Sequence, residues 1–432
     1  MLSTTSTVSN ESGRNPIFRP LYHYIEDMEP LERYGSGGYH PVLIGDRFQD
    51  RYQVVQKLGY CAYSTVWLSR DDVCNRHVAL KICTADSNPH ELTVLSDLSN
   101  SRQPSNQSLG KAMMPSVLDA FKIEGVNGTH ACYVTHPARM SLDDAKDASY
   151  DRLFTLEVAR ALAAQLTVAV DYIHAQGLVH GDIRCGNVLA QLPPRFECDL
   201  DMKPETVTIT RRDGEELSPC IPHHAIIPIW LGTRSDKLEL PEARILLSDF
   251  GEAFYPEKEK KFESRTPLGS RAPESRFELV KPLSFPSDIW SLACSIWEII
   301  GQRSLIDEFM ADADDITRQY VDILGILPPE WWNAWKARGK KFSQDGKPIN
   351  RERDPYQSWE DWFEYCVQKP REAERMPRIE PAERDALFSM LKSMLSFKPE
   401  DRPSAKEVLE SEWMVKWALP ECEKVWKSGI QS

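Results

Sequence analysis

The chain has 432 residues, 41% of them hydrophobic and 9% aromatic, which is enough to bury a large core in two domains or in one two-lobed domain with extensions. A formal charge of −13 argues against nucleic acid or an anionic membrane surface as the main partner. Ten cysteines lie scattered, without CxxC pairs or metal-like spacing to histidine, which fits reduced thiols inside a cell.

The Ser/Thr-rich N-terminus has neither a signal-peptide core nor an Arg-rich transit pattern, so an intracellular chain is expected, and Asn10, Asn106 and Asn127 are expected to carry no glycan. Residues 1–33 read as disordered or loosely attached. From Tyr34 the composition changes, and Gly35, Gly37 and Gly38 turn the chain into an extended segment. Tyr52 to Leu68 alternates as two strands joined by the turn Leu58-Gly59-Tyr60-Cys61-Ala62-Tyr63-Ser64-Thr65-Val66. Such a turn lays backbone N–H groups over phosphates if the backbone approaches closely; with only Gly59 as glycine, a simple hairpin is the competing reading.

In Val78-Ala79-Leu80-Lys81-Ile82 a strand puts Ala79 and Lys81 on one face, where they either flank a nucleotide or line an exposed edge. Asn88 and Pro89 cap a helix that carries Glu91, either a capping-box acid or a partner for Lys81. Strands follow around Ser116 to Ile123 and His130 to Thr135. An amphipathic helix then runs from Glu157 to Gln176, with Gly177 as its stop.

That helix delivers the chain to Leu178-Val-His-Gly-Asp-Ile-Arg-Cys-Gly-Asn-Val-Leu-Ala190. An aspartate (Asp182) and an asparagine (Asn187) five positions apart suit phosphoryl transfer: the carboxylate accepts a hydroxyl proton, and the amide oxygen helps hold a metal on phosphates. The same residues also suit a polar turn between strands. A Pro-rich insertion occupies about 190–244, too long for an ordinary connection. Ile245–Leu247 is a short buried strand, and Asp249-Phe250-Gly251 follows, an acid at a strand end placed for a metal. Ile289 to Ile300 is apolar but too short for a membrane span. Eight of the twelve tryptophans lie between Trp331 and Trp426, which predicts aromatic core packing in the C-terminal third.

Taken in order, a glycine loop, Val-Ala-Leu-Lys, a helix glutamate, His-x-Asp-x4-Asn, Asp-Phe-Gly, Ala272-Pro273-Glu274, Asp288-Ile-Trp-Ser291 and Asp401-Arg402-Pro403-Ser404 resemble the protein-kinase signature set over roughly residues 52 to 414. Within kinases the chain is similar to the SR-protein kinases, particularly their shorter fungal members. Gly37 to Val42, Ile44-Gly45-Asp46, Arg51 to Gly59, Ser64 to Leu68 and His77 to Lys81 carry that likeness.

The resemblance implies an α+β bilobal fold: an N-lobe at 34–136, a C-lobe at 137–414 with the insertion, and a tail at 415–432. It implies an ATP- and Mg²⁺-dependent protein serine/threonine kinase, acting on Arg/Ser-rich proteins linked to mRNA splicing, in the cytoplasm or nucleus. It also implies a monomer with no direct nucleic-acid or membrane partner. By the same resemblance Asp182, Lys81, Arg184 and Asn187 are catalytic, and Asn187 and Asp249 hold the metal. Leu58 to Val66, Ala79, Lys81, Glu91, Thr135 and Pro137 contact the nucleotide, Glu274 pairs with Arg402, and Asp288 braces the catalytic loop.

The chain departs from the kinase pattern at four positions. Cys61 and Ser64 stand where glycines are usual, Gly181 replaces the arginine that reads an activation-loop phosphate, and Arg184 replaces a lysine. The Gly181 change predicts activity independent of activation-loop phosphorylation. Two other functions stay open on sequence alone. One is a small-molecule phosphotransferase of the aminoglycoside or choline kinase kind; the other is a pseudokinase scaffold.

Overall fold

A computed structural model describes residues 20–100, 108–192, 203–349 and 358–428. They fall into two compact units. The first holds 20–87, 120–134 and 203–229; the second holds 88–119, 135–192 and 230–428, within the described ranges.

The first unit is built on a six-stranded sheet of β1 (Arg47–Phe48), β2 (Tyr52–Cys61), β3 (Ser64–Asp71), β4 (Arg76–Cys83), β5 (Asp119–Gly125) and β6 (Gly128–Thr135), in the order β1-β2-β3-β4-β6-β5. In β4, Val78, Leu80 and Ile82 are buried at the two-residue period of a pleated strand, while in β3 the neighbours Trp67 and Leu68 are both buried, one on each face of the sheet. The expected turn at 58–66 is much shorter than its sequence span. Pairing runs to Cys61↔Ser64, with an irregularity at Leu58, so the tip is only Ala62-Tyr63.

Residues 20–33 are packed against the sheet unit, which corrects the loose segment read from their composition; residues 1–19 lie outside the described part. Tyr22, Met28, Leu31, Tyr34 and Tyr39 share a core with Ile209, Ile221 and Ala225 of the insertion. The insertion itself forms β9 (Thr206–Thr208) and β10 (His224–Ile226), after β7 (Ala138–Ser141) and β8 (Val188–Gln191) in chain order. Under this layer lies an ion pair between Lys57 and Glu29, each only 1% exposed, with the Tyr34 hydroxyl also donating to Glu29. Asn127 is buried and donates to the Tyr39 carbonyl at 2.7 Å, which leaves its amide no room for a glycan.

The second unit is mainly helical. It begins with α1 (His90–Asn100), α2 (Ser108–Ala112), α3 (Leu142–Asp147), α4 (Leu156–Ala175), α5 (Glu274–Phe277), α6 (Phe285–Ile300) and α7 (Ala313–Leu324). Sequence periodicity gives α4 one apolar stripe, yet Ala161, Ala163, Ala164, Gln165 and Thr167 are buried as well. These small or hydrogen-bonded side chains let α2, α6, the strand β11 (Ile245–Leu247) and the C-terminal helix Leu419–Ser428 approach on several sides, without the helix needing to be apolar all round.

Helix α4 ends at Gly177, whose φ of +77° is a left-handed stop. Helix α6 is nearly all core, including Trp290 and Trp297, and no helix among the described residues is long and apolar enough to cross a membrane. Trp331, Trp332 and Trp335 pack with Val321, Leu327 and Phe342. Every described cysteine is a free thiol.

The buried Lys57–Glu29 pair gives a stability prediction. Glu29→Ala strands an ammonium away from water and should cost about 3–5 kcal/mol in urea unfolding; an unchanged unfolding curve would show that the strap contributes nothing to the first unit.

Candidate active site

In the second unit, β7, β8 and β11 form a small sheet in the order β11-β8-β7; the loop 178–187 enters β8 and Asp249 follows β11 at the same end of that sheet. The register Leu247↔Val188 sets Asn187 beside Ser248: the Ser248 N–H and Oγ both donate to the Asn187 carbonyl at 2.9 Å. His180 Nε2 lies 3.1 Å from the Ser248 carbonyl, and the Asp182 N–H donates to His180 Nδ1 at 3.3 Å, a consistent ring tautomer with the proton on Nε2.

Asp182 Oδ2 is held twice, by Asn187 Nδ2 at 2.8 Å and by Arg184 Nε at 3.3 Å. Its Oδ1 is buried with no hydrogen-bond partner. An orphaned carboxylate oxygen beside a fixed one is what a substrate hydroxyl or a hydrated cation would satisfy. Asn187 spends its amide N–H on Asp182, which turns its carbonyl oxygen into the group available to a metal. Asp249 stands at φ 62°, ψ 69°, a conformation that costs a non-glycine residue energy and collects at functional positions. Phe250 next to it is fully buried, with its ring 4.8 Å from that of His180. A divalent cation would therefore find Asn187 and Asp249 as oxygen donors suited to a hard ion.

The loop is fastened from below by α6. Asp288, 1% exposed, accepts the His180 N–H at 2.7 Å and the Gly181 N–H at 2.9 Å, and His174 Nε2 lies 2.9 Å from the same carboxylate. Gly181 has φ +78°, and a Cβ there would lie 2.7 Å from the Glu252 carbonyl oxygen. The loop and the Asp-Phe-Gly segment are so close here that a side chain at 181 would force one of them to shift.

The segment that follows is tied by its own side chains. Glu252 pairs with Lys261 and with Arg265 at 3.5 Å, and the Thr266 hydroxyl donates to the Gly181 carbonyl at 2.8 Å. Its end is anchored by Arg402, whose two terminal nitrogens reach Glu274 at 2.8 and 2.7 Å in a buried bidentate pair. Helix α1 meets the Asp-Phe-Gly turn through His90 Nε2, 2.6 Å from the Ala253 carbonyl, and Glu91 sits in its first turn.

In the first unit, Lys81 pairs across the sheet with Val66, and its ammonium stands 5.6 Å from the Tyr133 ring centroid. Ala79 pairs with Leu68, and Gly59 with Val66. Tyr60, Ala62 and Tyr63 are exposed, whereas Ser64 and Thr65 are buried and Cys61 is half-buried, with its Sγ 3.0 Å from Ser64 Oγ. Thr135 closes β6, and Pro137 lies in the link to β7.

Sequence reasoning missed the layer under Arg184. Asp143, Cys185 and Glu298 converge, their ligand atoms within 4.8 Å of one another. Burial, with Glu298 adding to it, pushes the Asp143 carboxyl up to about 6, and burial pushes the Cys185 thiol well up. Lys146, wholly buried, adds its ammonium to the group and donates to the carbonyls of Glu298 and Gly301. With a cation already built in, this is a charge-balanced seat for the loop. A Cβ on Gly186 would meet Arg184 Nη1 at 2.3 Å and Asp143 Oδ2 at 3.0 Å, so Gly186 leaves the space over which the Arg184 guanidinium lies. No motif flags Asp143 or Gly186.

A protein-kinase-domain family model matches residues 234–414. A serine/threonine protein kinase of Aspergillus fumigatus is 27% identical over 397 residues, 90% of this chain and 91% of that protein. The serine/threonine-protein kinase SRPK of Physarum polycephalum is 27% identical over 420 residues, 90% of this chain and 92% of that protein. Protein kinase dsk1 of Schizosaccharomyces pombe is 36% identical over 165 residues, 37% of this chain and 30% of its own length. The chain carries a protein-kinase domain and is SRPK-like. It has the α+β fold of that family, with a β-rich N-lobe unit and a helical C-lobe unit, and it is a protein serine/threonine kinase.

The kinase's Gly186 yields the next prediction. Gly186→Ala chiefly displaces the mobile end of Arg184, with a close approach to Asp143 Oδ2 at 3.0 Å, so the thermal midpoint should change little while kcat falls about tenfold or more, the worth of one charge-assisted contact. Steady-state kinetics with kcat unchanged would show that the position of Arg184 does not matter.

Proposed function

We propose that this kinase transfers the γ-phosphoryl of Mg²⁺-ATP to serine or threonine hydroxyls in Arg/Ser-rich proteins, including proteins linked to mRNA splicing. The observation that carries the chemistry is the divided carboxylate of Asp182: one oxygen fixed by Asn187 and Arg184, the other buried and unpartnered.

Asp182 Oδ1 orients the incoming hydroxyl and accepts its proton as the bond to phosphorus forms. Arg184 lies within reach of the transferring group and offsets its developing charge with a planar fork where the protein-kinase pattern has a lysine point charge. Asn187 and Asp249 would hold the metal, which would supply charge neutralisation at the nucleotide's phosphates. Lys81 contacts the α- and β-phosphates, with Glu91 as its partner. Leu58 to Val66, with Ala79, cover the phosphates and wall the adenine, while Thr135 and Pro137 lie along the nucleotide's edge. The protein-kinase elements at 272–274, 288–291 and 401–404 favour a protein substrate over a small-molecule one.

Support for an Arg-rich substrate comes from the SRPK likeness and the charge of −13. It does not come from the acidic stretch at 307–315, whose charges are mostly engaged within the protein. Asp314 pairs with Arg276, Asp315 with Lys341 at 2.6 Å, Asp312 caps α7, and Glu308 accepts the Gly269 N–H at 2.9 Å.

The test compares an Arg-Ser repeat peptide with an acidic-flanked serine peptide at two salt concentrations, using wild type and Asp182→Asn. The Arg-Ser peptide should be preferred, with the preference shrinking at high salt, and Asp182→Asn should lower kcat about 10²–10⁴-fold while nucleotide still binds. Equal rates on the two peptides would sink the substrate reading, and an unaffected Asp182→Asn would sink the mechanism.

A further inference from the structure

The tip Ala62-Tyr63 is exposed and carries none of the glycines that usually let such a loop settle on phosphates, yet it is held from behind by the segment that precedes the sheet. The Tyr39 hydroxyl donates to the Cys61 carbonyl at 2.8 Å, and the Arg33 guanidinium donates to the Ala62 carbonyl. Arg33 also stands 5.5 Å from the ring centroids of both Tyr39 and Tyr63, and reaches the Asp86 carboxylate at 3.3 Å.

The grip is itself anchored. The Tyr39 N–H donates to the Arg33 carbonyl at 3.0 Å, and the N–H groups of Ala85 and Asp86 donate to the carbonyls of Gly38 and Gly37 at 3.1 and 2.7 Å. Gly38 makes this turn possible, because a Cβ there would fall 1.7 Å from the Arg33 carbonyl oxygen. Tyr39 is 1% exposed, and burial lifts its phenol to about 12, so it remains a donor at every working pH.

In a trans peptide the N–H points opposite to the C=O. Pinning two successive carbonyls, those of Cys61 and Ala62, toward Tyr39 and Arg33 therefore turns the following N–H groups, those of Ala62 and Tyr63, the other way. Two consecutive donors aimed to one side form an anion-binding concavity. We propose that Arg33 and Tyr39 are positioning residues for nucleotide binding: they fix the orientation of the tip amides of Ala62 and Tyr63 toward the phosphates, in place of the missing glycines. This rests on the reading that the 58–66 hairpin covers those phosphates, and it adds two residues that lie outside the general protein-kinase signature set.

The experiment uses the full chain with Tyr39→Phe, Arg33→Ala and Arg33→Lys, and a separate Ala62→Asp variant that sets a carboxylate on the tip. Losing one such hydrogen bond should raise KM for ATP and Kd for Mg²⁺-ADP about 2- to 10-fold, with kcat at saturating ATP and KM for peptide unchanged, and Arg33→Lys should recover part of the loss. If Ala62→Asp weakens nucleotide binding while Tyr39→Phe and Arg33→Ala leave it alone, the positioning role is overturned and the hairpin reading stands. If Ala62→Asp also has no effect, the hairpin reading fails too. A parallel loss of kcat, peptide KM and thermal midpoint in both Tyr39→Phe and Arg33→Ala would mark a merely structural contact and overturn the proposal.

Discussion

One buried carboxylate organises the catalytic half of this kinase. Asp288 is almost without solvent, and its charge would be costly there if unpaired. Two backbone N–H groups and the His174 ring surround it, so its burial is compensated by charge-assisted hydrogen bonds that each have a geometric consequence. They lock His180 and Gly181, and thereby the direction in which the chain enters Asp182. The left-handed Gly181 brings the loop against Glu252, His180 ties it to the end of β11, and Asn187 and Arg184 then fix one oxygen of Asp182.

The same closeness explains how the segment after Asp249 is ordered. Where an arginine would otherwise wait for a phosphate, the backbone of Glu252 occupies the space, and Glu252, Lys261, Arg265 and Thr266 supply the ties. At the far end the Glu274–Arg402 pair is bidentate and shielded from solvent. Such a pair contributes more to fixing geometry than to net stability, since desolvation offsets much of its attraction.

The candidate residues Asp182, Asn187 and Asp249 stood out in the sequence because phosphoryl transfer would demand such groups at such spacings, and they sit at strand or loop ends that hydrophobic patterning also marks. The regular elements were legible for the same reason: the α4 stripe and its Gly177 stop follow from helical period and glycine's access to positive φ. What escaped was structure without a period. Tyr22, Met28, Leu31 and Tyr34 lie in irregular backbone, and their partners Ile209, Ile221 and Ala225 come from an insertion far along the chain, so no local window shows their burial. Arg184 folding over Gly186 toward Asp143 is likewise a side-chain path, invisible in residue order. The partners of the acidic run at 307–315, Arg276 and Lys341, also lie outside it, so residue order does not show that its charges are engaged.

The most direct test of this account is phosphoryl transfer to an Arg-Ser peptide by protein treated with phosphatase and verified by mass spectrometry to carry no phosphate on residues 249–274. If Asp288, Gly181 and the Glu252 ties are what order the loop, the rate should equal that of the untreated enzyme. A collapse of activity that returns on rephosphorylation would contradict it.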